Sequence, residues 1–324
     1  MNRRQFLSMA GAFAGCTGGV GEAFALASSS SSVASARALV IVDLDGGNDA
    51  LNTVIPIADP LYRKLRPALA IPRQCALPLD ADTALHPSLL PLMTVWHANE
   101  LAIVRGVGVG TFDRRHQRSH YRSRQIWDTA SDADEYRRDG WLERAHGSRA
   151  YVQDVIHSRT FVAACDAAAR RIETYGAHGA TDGVNVIPLT LHGFDTHENQ
   201  AHRHASLLAQ FAEGIALLRA RLIASGDWAH TLVMTRSDFG RSAHENAARG
   251  TEHGAAGSHF MMGGHVRGGL FGAPPRLDAL DDEGGLPVGI DFRTFFATAL
   301  DACGHTDLAS IFGQGIEPLR LLRA

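Results

Sequence analysis

Lysine is nearly missing from this chain. Lys64 is the only one in 324 residues, and arginine supplies the rest of the 31 basic side chains. That imbalance reads as genome composition rather than as a binding surface. No basic block rises above the background and the formal net charge is −3, so the electrostatic footprint of a nucleic-acid binder is lacking. Cysteine is scarce too. Cys16, Cys75, Cys165 and Cys303 show no metal-type spacing, and the three beyond Cys16 are an odd number. This argues for buried thiols rather than a disulfide framework. Internal repeats are absent, and no Pro/Gly linker splits the body of the chain. The one early apolar run is too short for a persuasive spanning helix.

The first residues, MNRRQFLSMAGAFAG, are informative. Arg3 and Arg4 precede Phe6 and Leu7, then small and apolar residues, then Ala25-Leu26-Ala27 as a small-x-small cleavage site before a serine tract. This order is that of a signal peptide, and the arginine pair followed by x-Phe-Leu resembles a twin-arginine export signal. Residues 1–27 are therefore expected to be the signal, 28–36 a serine-rich linker, and 37–324 a single folded domain in the periplasm. The partner at this stage is the twin-arginine export machinery. Phe13-Ala14-Gly15-Cys16 loosely resembles a lipoprotein box, with Phe where Leu is usual, so a lipid anchor at Cys16 is the minor alternative.

An apolar fraction of 45% and a charged fraction of 20% are ordinary for a globular chain with a sizeable core. Continuous apolar runs at Ala38–Asp43, Leu101–Arg105, Val184–Leu191 and Thr231–Thr235 predict buried strands, with a fifth at His259–Met262. Helical patterns fall at Leu89–Ala98, Gln117–Thr129, Gly140–His146, Arg159–Tyr175, Asn199–Ala224 and Phe292–Cys303. Strands alternating with helices imply an α/β fold with a mostly parallel sheet covered on both faces. Sites in such folds gather at the carboxyl ends of strands, and polar clusters do follow the apolar runs.

After the first run comes Asp43-Leu44-Asp45-Gly46-Gly47-Asn48-Asp49, a glycine-rich acidic turn suited to a cation or simply solvated. After the second comes Arg114-Arg115-His116-Gln117-Arg118-Ser119-His120. There Ser119 begins a helix, as a nucleophile, a phosphate-binding group or an ordinary cap, and His116 and His120 are spaced to share a helix face. The third leads into Gly193-Phe194-Asp195-Thr196-His197. In an extended chain Asp195 and His197 face the same way, toward an ion or each other. The fourth leads into Ser237-Asp238-Phe239-Gly240-Arg241 and on to Gly250-Thr251-Glu252-His253-Gly254. Arg241 is a candidate for holding an oxyanion. Each signal is weak alone. Together they put Asp and His at several strand ends, as a metal centre built from dispersed loops requires.

The blocks RRQFL, LVIVDLDGGNDALNTVIP, LHP at 85–87, RSHY at 118–121, GWL at 140–142, GFDTHENQ, SDFGR, GTEHG and GGHVRGG resemble, in one order, those of the exported and largely uncharacterised DUF1501 family. That family is similar to the alkaline phosphatase and sulfatase superfamily. The resemblance implies an alkaline-phosphatase-like α/β sandwich with one or two divalent metals, Zn, Mn or Fe, acting on a small anionic ester. It implies Asp49, Asp195, His197, Asp238 and His253 as metal ligands, with Ser119 and Arg241 as catalytic residues. Three departures stand against it. Phe239 replaces a histidine of the superfamily's Asp-His pair, Glu252 stands where the family usually has Asp, and the stretch from Trp141 to Val184 is short. The alternative is a non-catalytic envelope binding protein that kept the fold with an incomplete metal site.

Overall fold

The computed structural model describes residues 36–110, 118–146, 156, 158–177 and 184–323. Its central sheet contains β1 (Ala38–Asp45), β2 (Leu101–Gly108), β3 (Asn185–His192), β4 (Thr231–Ser237), β5 (Gly257–Gly263), β6 (Gly269–Phe271) and β7 (Ile290–Asp291). The order is β6-β2-β5-β4-β1-β3, with β7 also paired to β2. β1 lies parallel to β3 and β4, and β6 and β7 lie parallel to β2. β5 alone runs antiparallel, to both β2 and β4. All five strands anticipated from the apolar runs are present; four are two or three residues longer than the run that announced them, and β3 has the length of its run, shifted by one residue. The sheet is thus mixed α/β and mostly parallel.

The continuous apolar character of β1 follows from burial on both faces. Val40, Val42 and Leu44 pack with Phe211, Ile215 and Leu218 of the long helix α3 (Gln200–Ser225) and with Phe161 and Ile172 of α2 (Phe161–Ala177). Leu39 and Ile41 face the other way. They meet Trp127 of α1 (His120–Thr129) and Phe295, Phe296 and Leu300 of α4 (Phe292–Ala302). Among the described residues no helix is long and apolar enough to cross a membrane.

Strand direction decides where the chemistry goes. β1, β2, β3 and β4 all end on one edge of the sheet, so the segments after them meet there. Because β5 runs the opposite way, its beginning lies on that same edge. The hairpin that precedes it, Arg241–Glu245 with Thr251–His253, is therefore delivered beside the other loops.

The cysteine reading needs one correction. Cys165 and Cys303 are buried, and desolvation pushes each thiol up to about 12, whereas Cys75 is exposed because it lies in a surface turn. Cys75 is expected to react with a maleimide or disulfide reagent within minutes, while the other two react only on unfolding. Thiol counting by mass spectrometry before and after denaturation checks this.

Two histidines make stability depend on pH. His204 and His259 are almost fully buried, and desolvation lowers each to about 4 from an ordinary 6.5. The unfolded chain therefore binds more protons between those limits. The stability these groups contribute is complete above pH 6.5 and lost as pH falls toward 4. Each adds a slope of roughly 1.4 kcal/mol per pH unit. Urea unfolding between pH 7 and 4.5 reads that slope, and His259→Leu is expected to remove about half of the contribution from this pair.

Candidate metal centre

Five segments converge beyond the carboxyl edge of the sheet. The turn after β1 is brought against the segment after β3 by Gly46. Its φ is +114°, and a Cβ there would lie 2.4 Å from Asp195 N, so glycine is required on both counts. Gly250 does the same for the hairpin, where a Cβ would meet His197 C at 2.1 Å. Thr196 points inward and gives its hydroxyl to Gln200 Oε1 at 3.0 Å, which leaves Asp195 and His197 on the opposite side. The alternation in GFDTH thus produces the shared direction expected of it, with His197 Nε2 3.0 Å from Asp195 Oδ1.

Among the described residues, one group of ligand atoms lies close enough to hold an ion. His120, Asp195 and His253 each offer an atom within 4.8 Å of the others. His253 Nε2 is 3.2 Å from Asp195 Oδ1, and His120 Nε2 is 3.4 Å from Asp195 Oδ2. The two histidines thus approach different oxygens of the one carboxylate, at separations of the order found between ligands of a divalent ion. His197 Nε2 touches the group at 2.9 Å from His253 Nε2.

The donors are chemically prepared for a divalent ion. Burial tends to raise the Asp195 carboxyl, but the hydrogen bond and charge of Arg241, with His197 and His120, outweigh it and hold the group at about 2. Burial lowers His253 below its ordinary value, which favours the neutral, ligating imidazole. His253 Nδ1 is 2.7 Å from the carbonyl of Arg118, so it carries the proton and leaves Nε2 as the acceptor. His120 Nδ1 lies 2.5 Å from Asp238 Oδ2, and its buried Nε2 makes no hydrogen bond. A carboxylate behind a histidine is the usual outer partner of a metal ligand. Glu252 stands in the same relation to His197, at 3.1 Å from Nδ1. Two imidazoles and a carboxylate with a side left open suit Zn, Mn or Fe.

The other residues singled out in the sequence take different places. Asp49 is set in the interior. Its Oδ2 receives Arg66 Nη1 at 2.6 Å and Gln200 Nε2, and its Oδ1 caps the short helix Ala50–Thr53 through Leu51 N at 3.1 Å. Three of about four acceptor positions are taken, so Asp49 stands apart from the triad as a structural anchor. Asp238 is behind His120 rather than in the triad. Its Oδ2 is occupied by His120 and, at 3.3 Å, by Arg124 Nε.

Arg241 is not free to grasp an anion either. It is fully buried and donates to the carbonyls of Gly46, Gly47, Phe194 and Thr251 and to Asp195 Oδ1. Ser119 is the exposed N-cap of α1, accepting from Arg122 N at 3.5 Å, as the ordinary reading of a serine there requires. His116 lies outside the described residues. Phe239 packs its ring 4.7 Å from that of His120 and 4.3 Å from that of His253, an apolar wall on one side of the cluster.

His120 is the member of this cluster that the sequence did not single out as a metal ligand. Its signal was present in RSHY, immediately after the serine that drew attention. It reads as a first-turn helix residue, however, and only the fold shows Asp238 waiting behind it.

The fold and the site together define an α/β scaffold with Asp and His side chains gathered from separate loops at one sheet edge, a geometry that would accommodate a divalent ion. The particular family is shown by the sequence. Residues 143–321 match the family described as "Protein of unknown function (DUF1501)", and since that is more than half of the chain, the chain belongs to it. No curated protein matches it.

Several solved structures are similar at low identity. A protein in the alkaline phosphatase superfamily from Vibrio parahaemolyticus is 11% identical, with a TM-score of 0.46 over 88% of this chain and 71% of that one. The lipoteichoic acid synthase LtaP from Listeria monocytogenes is 12% identical, with a TM-score of 0.42 over 87% and 76%. The C-terminal periplasmic domain of EcEptC from Escherichia coli, in complex with Zn, is 8% identical, with a TM-score of 0.37 over 72% and 74%. These likenesses concern architecture and carry no activity across.

Proposed function

We propose that this protein is an exported, divalent-metal-dependent hydrolase acting on a small phosphate or sulfate ester. The observation that carries the reading is the convergence of His120, Asp195 and His253 within 4.8 Å, from three separate segments, with a buried nitrogen of His120 left without a hydrogen bond. A divalent ion held by these side chains would supply a Lewis acid for the ester oxygen and for lowering the pKa of an attacking water. The chain's own residues do the rest. Asp238 fixes the ring of His120, the backbone of Arg118 fixes that of His253, and Arg241 keeps Asp195 ionised and aimed. Phe239 closes one side with an apolar surface that excludes water.

A second reading rests on a specific observation. The arginines next to the cluster are already engaged: Arg118 with Asp281 at 2.7 Å and with Glu283, and Arg241 with its carbonyls. A site whose cations are committed to the protein holds a metal but grips an anionic ester weakly. That favours a non-catalytic metal or ligand binder in the envelope. Turnover of p-nitrophenyl phosphate and p-nitrophenyl sulfate by the metal-supplied chain, beside Asp195→Asn, separates the two. Turnover lost in the variant supports the hydrolase, and a loaded metal with no turnover of either ester supports the binder.

Export belongs to the same proposal. The twin-arginine machinery would carry the chain already folded and loaded, a route suited to a metal protein. Replacing Arg3 and Arg4 together by Lys is expected to shift the protein from the periplasmic to the cytoplasmic fraction. Equal partition of variant and parent would contradict it. Partition of the exported form into detergent, abolished by Cys16→Ser, would instead support the lipid-anchored alternative.

A further inference from the structure

Away from the metal cluster, Arg105 near the end of β2 has a setting that the fold alone does not explain. Two cavities of about 340 and 300 Å³ adjoin around it, both lined by Val54, Arg105, Pro274 and Pro275. The larger is otherwise mostly apolar, with Leu51, Leu286 and Val288 on its walls. These volumes sit at the lower end of the range of small-molecule sites, about 300–1,000 Å³.

The guanidinium is incompletely satisfied. Nη2 donates to the carbonyl of Gly272 at 2.7 Å, but Nε is buried without an acceptor, and Arg105 forms no ion pair among the described residues. Burial lowers its pKa from the ordinary value, with the charge of Asp80 opposing. The other charges at the cavities are spoken for or on the rim. Asp59 caps the helix Pro60–Leu65, Arg276 is paired with Asp278 at 2.7 Å, and Asp82 lines only the smaller cavity. Arg105 as a whole is half-buried, but a guanidinium with a buried, unaccepted N–H is suited to a carboxylate or phosphate partner. Here the surroundings offer an apolar chamber instead.

We propose that this chamber binds a hydrophobic monocarboxylate, with the carboxylate on Arg105 and the hydrocarbon tail along Leu51, Val54 and Leu286. A single guanidinium edge matches one carboxylate, and the apolar walls select a ligand with a tail over a bare inorganic anion. The inference does not rest on the metal reading, since none of the metal-cluster residues lines either cavity.

Calorimetric titration of the full chain with octanoate, octan-1-ol and inorganic phosphate tests it. Saturable one-to-one binding of octanoate is expected, at least tenfold tighter than the alcohol and undisturbed by phosphate. Arg105→Met keeps the side-chain stem and is expected to weaken octanoate at least tenfold with the thermal midpoint unchanged. Arg105→Gln provides the same reading if the Met variant fails to fold. Absence of saturable octanoate binding, equal binding of the alcohol, displacement by phosphate, or undiminished binding in a folded Arg105 variant would each overturn the proposal.

Discussion

Arg241→Met is expected to destabilise the fold by about 4 kcal/mol or more, and Arg241→Lys by nearly as much. The guanidinium holds four buried carbonyls, those of Gly46, Gly47, Phe194 and Thr251; Phe194 O also accepts from Thr196 N at 2.8 Å and is not orphaned when the guanidinium is lost. Each orphaned buried acceptor costs roughly 1–3 kcal/mol. Lysine carries the charge but not the planar five-donor fork that reaches acceptors on three segments. The ion pair with Asp195 adds little, because that carboxylate is 44% exposed and screened by solvent. Equilibrium urea unfolding measures the loss. Both variants staying within about 1 kcal/mol of the parent would show that Arg241 is not the clamp described here.

The second large effect concerns the metal. Asp195→Asn and His253→Ala are each expected to abolish stoichiometric divalent-ion binding, since each removes one of three ligands. Asp238→Asn is expected to weaken binding by about 10–100-fold, as loss of an outer partner does. Asp49→Asn is expected to leave the metal in place. It instead destabilises the fold by about 3–5 kcal/mol, because Arg66 is left buried and uncompensated. Metal affinity and unfolding free energy, measured on the same four variants, separate ligand from outer partner from scaffold. Loss of metal in Asp49→Asn with stability unchanged would reverse that assignment.

The strands were legible because burial on both faces writes itself as unbroken apolar runs, as in ALVIVD and VIPLTL. The direction of β5 was not, since its short run His259–Met262 has no signal for orientation, and that reversal is what brings His253 to the site. Asp195 and His197 were recognisable by residue type and position after a strand, and His253 by its place in a glycine-flanked turn. The divisions of labour were not. Whether an aspartate faces an ion, a histidine or an arginine depends on partners distant in sequence: Arg66 for Asp49, and His120, well over a hundred positions away, for Asp238. Arg241 misled for the same reason. An arginine near acids reads as an anion holder until the carbonyls around it are seen. Asp195 and His197 do share a face, and the reason is visible in Thr196, which is buried between them.

The most direct measurement is the metal content of the chain, taken by inductively coupled plasma mass spectrometry after folding with Zn, Mn and Fe supplied, beside Asp195→Asn. One divalent ion per chain is expected in the parent and none in the variant. No metal in the parent, or the same amount in both, would contradict a centre built on His120, Asp195 and His253.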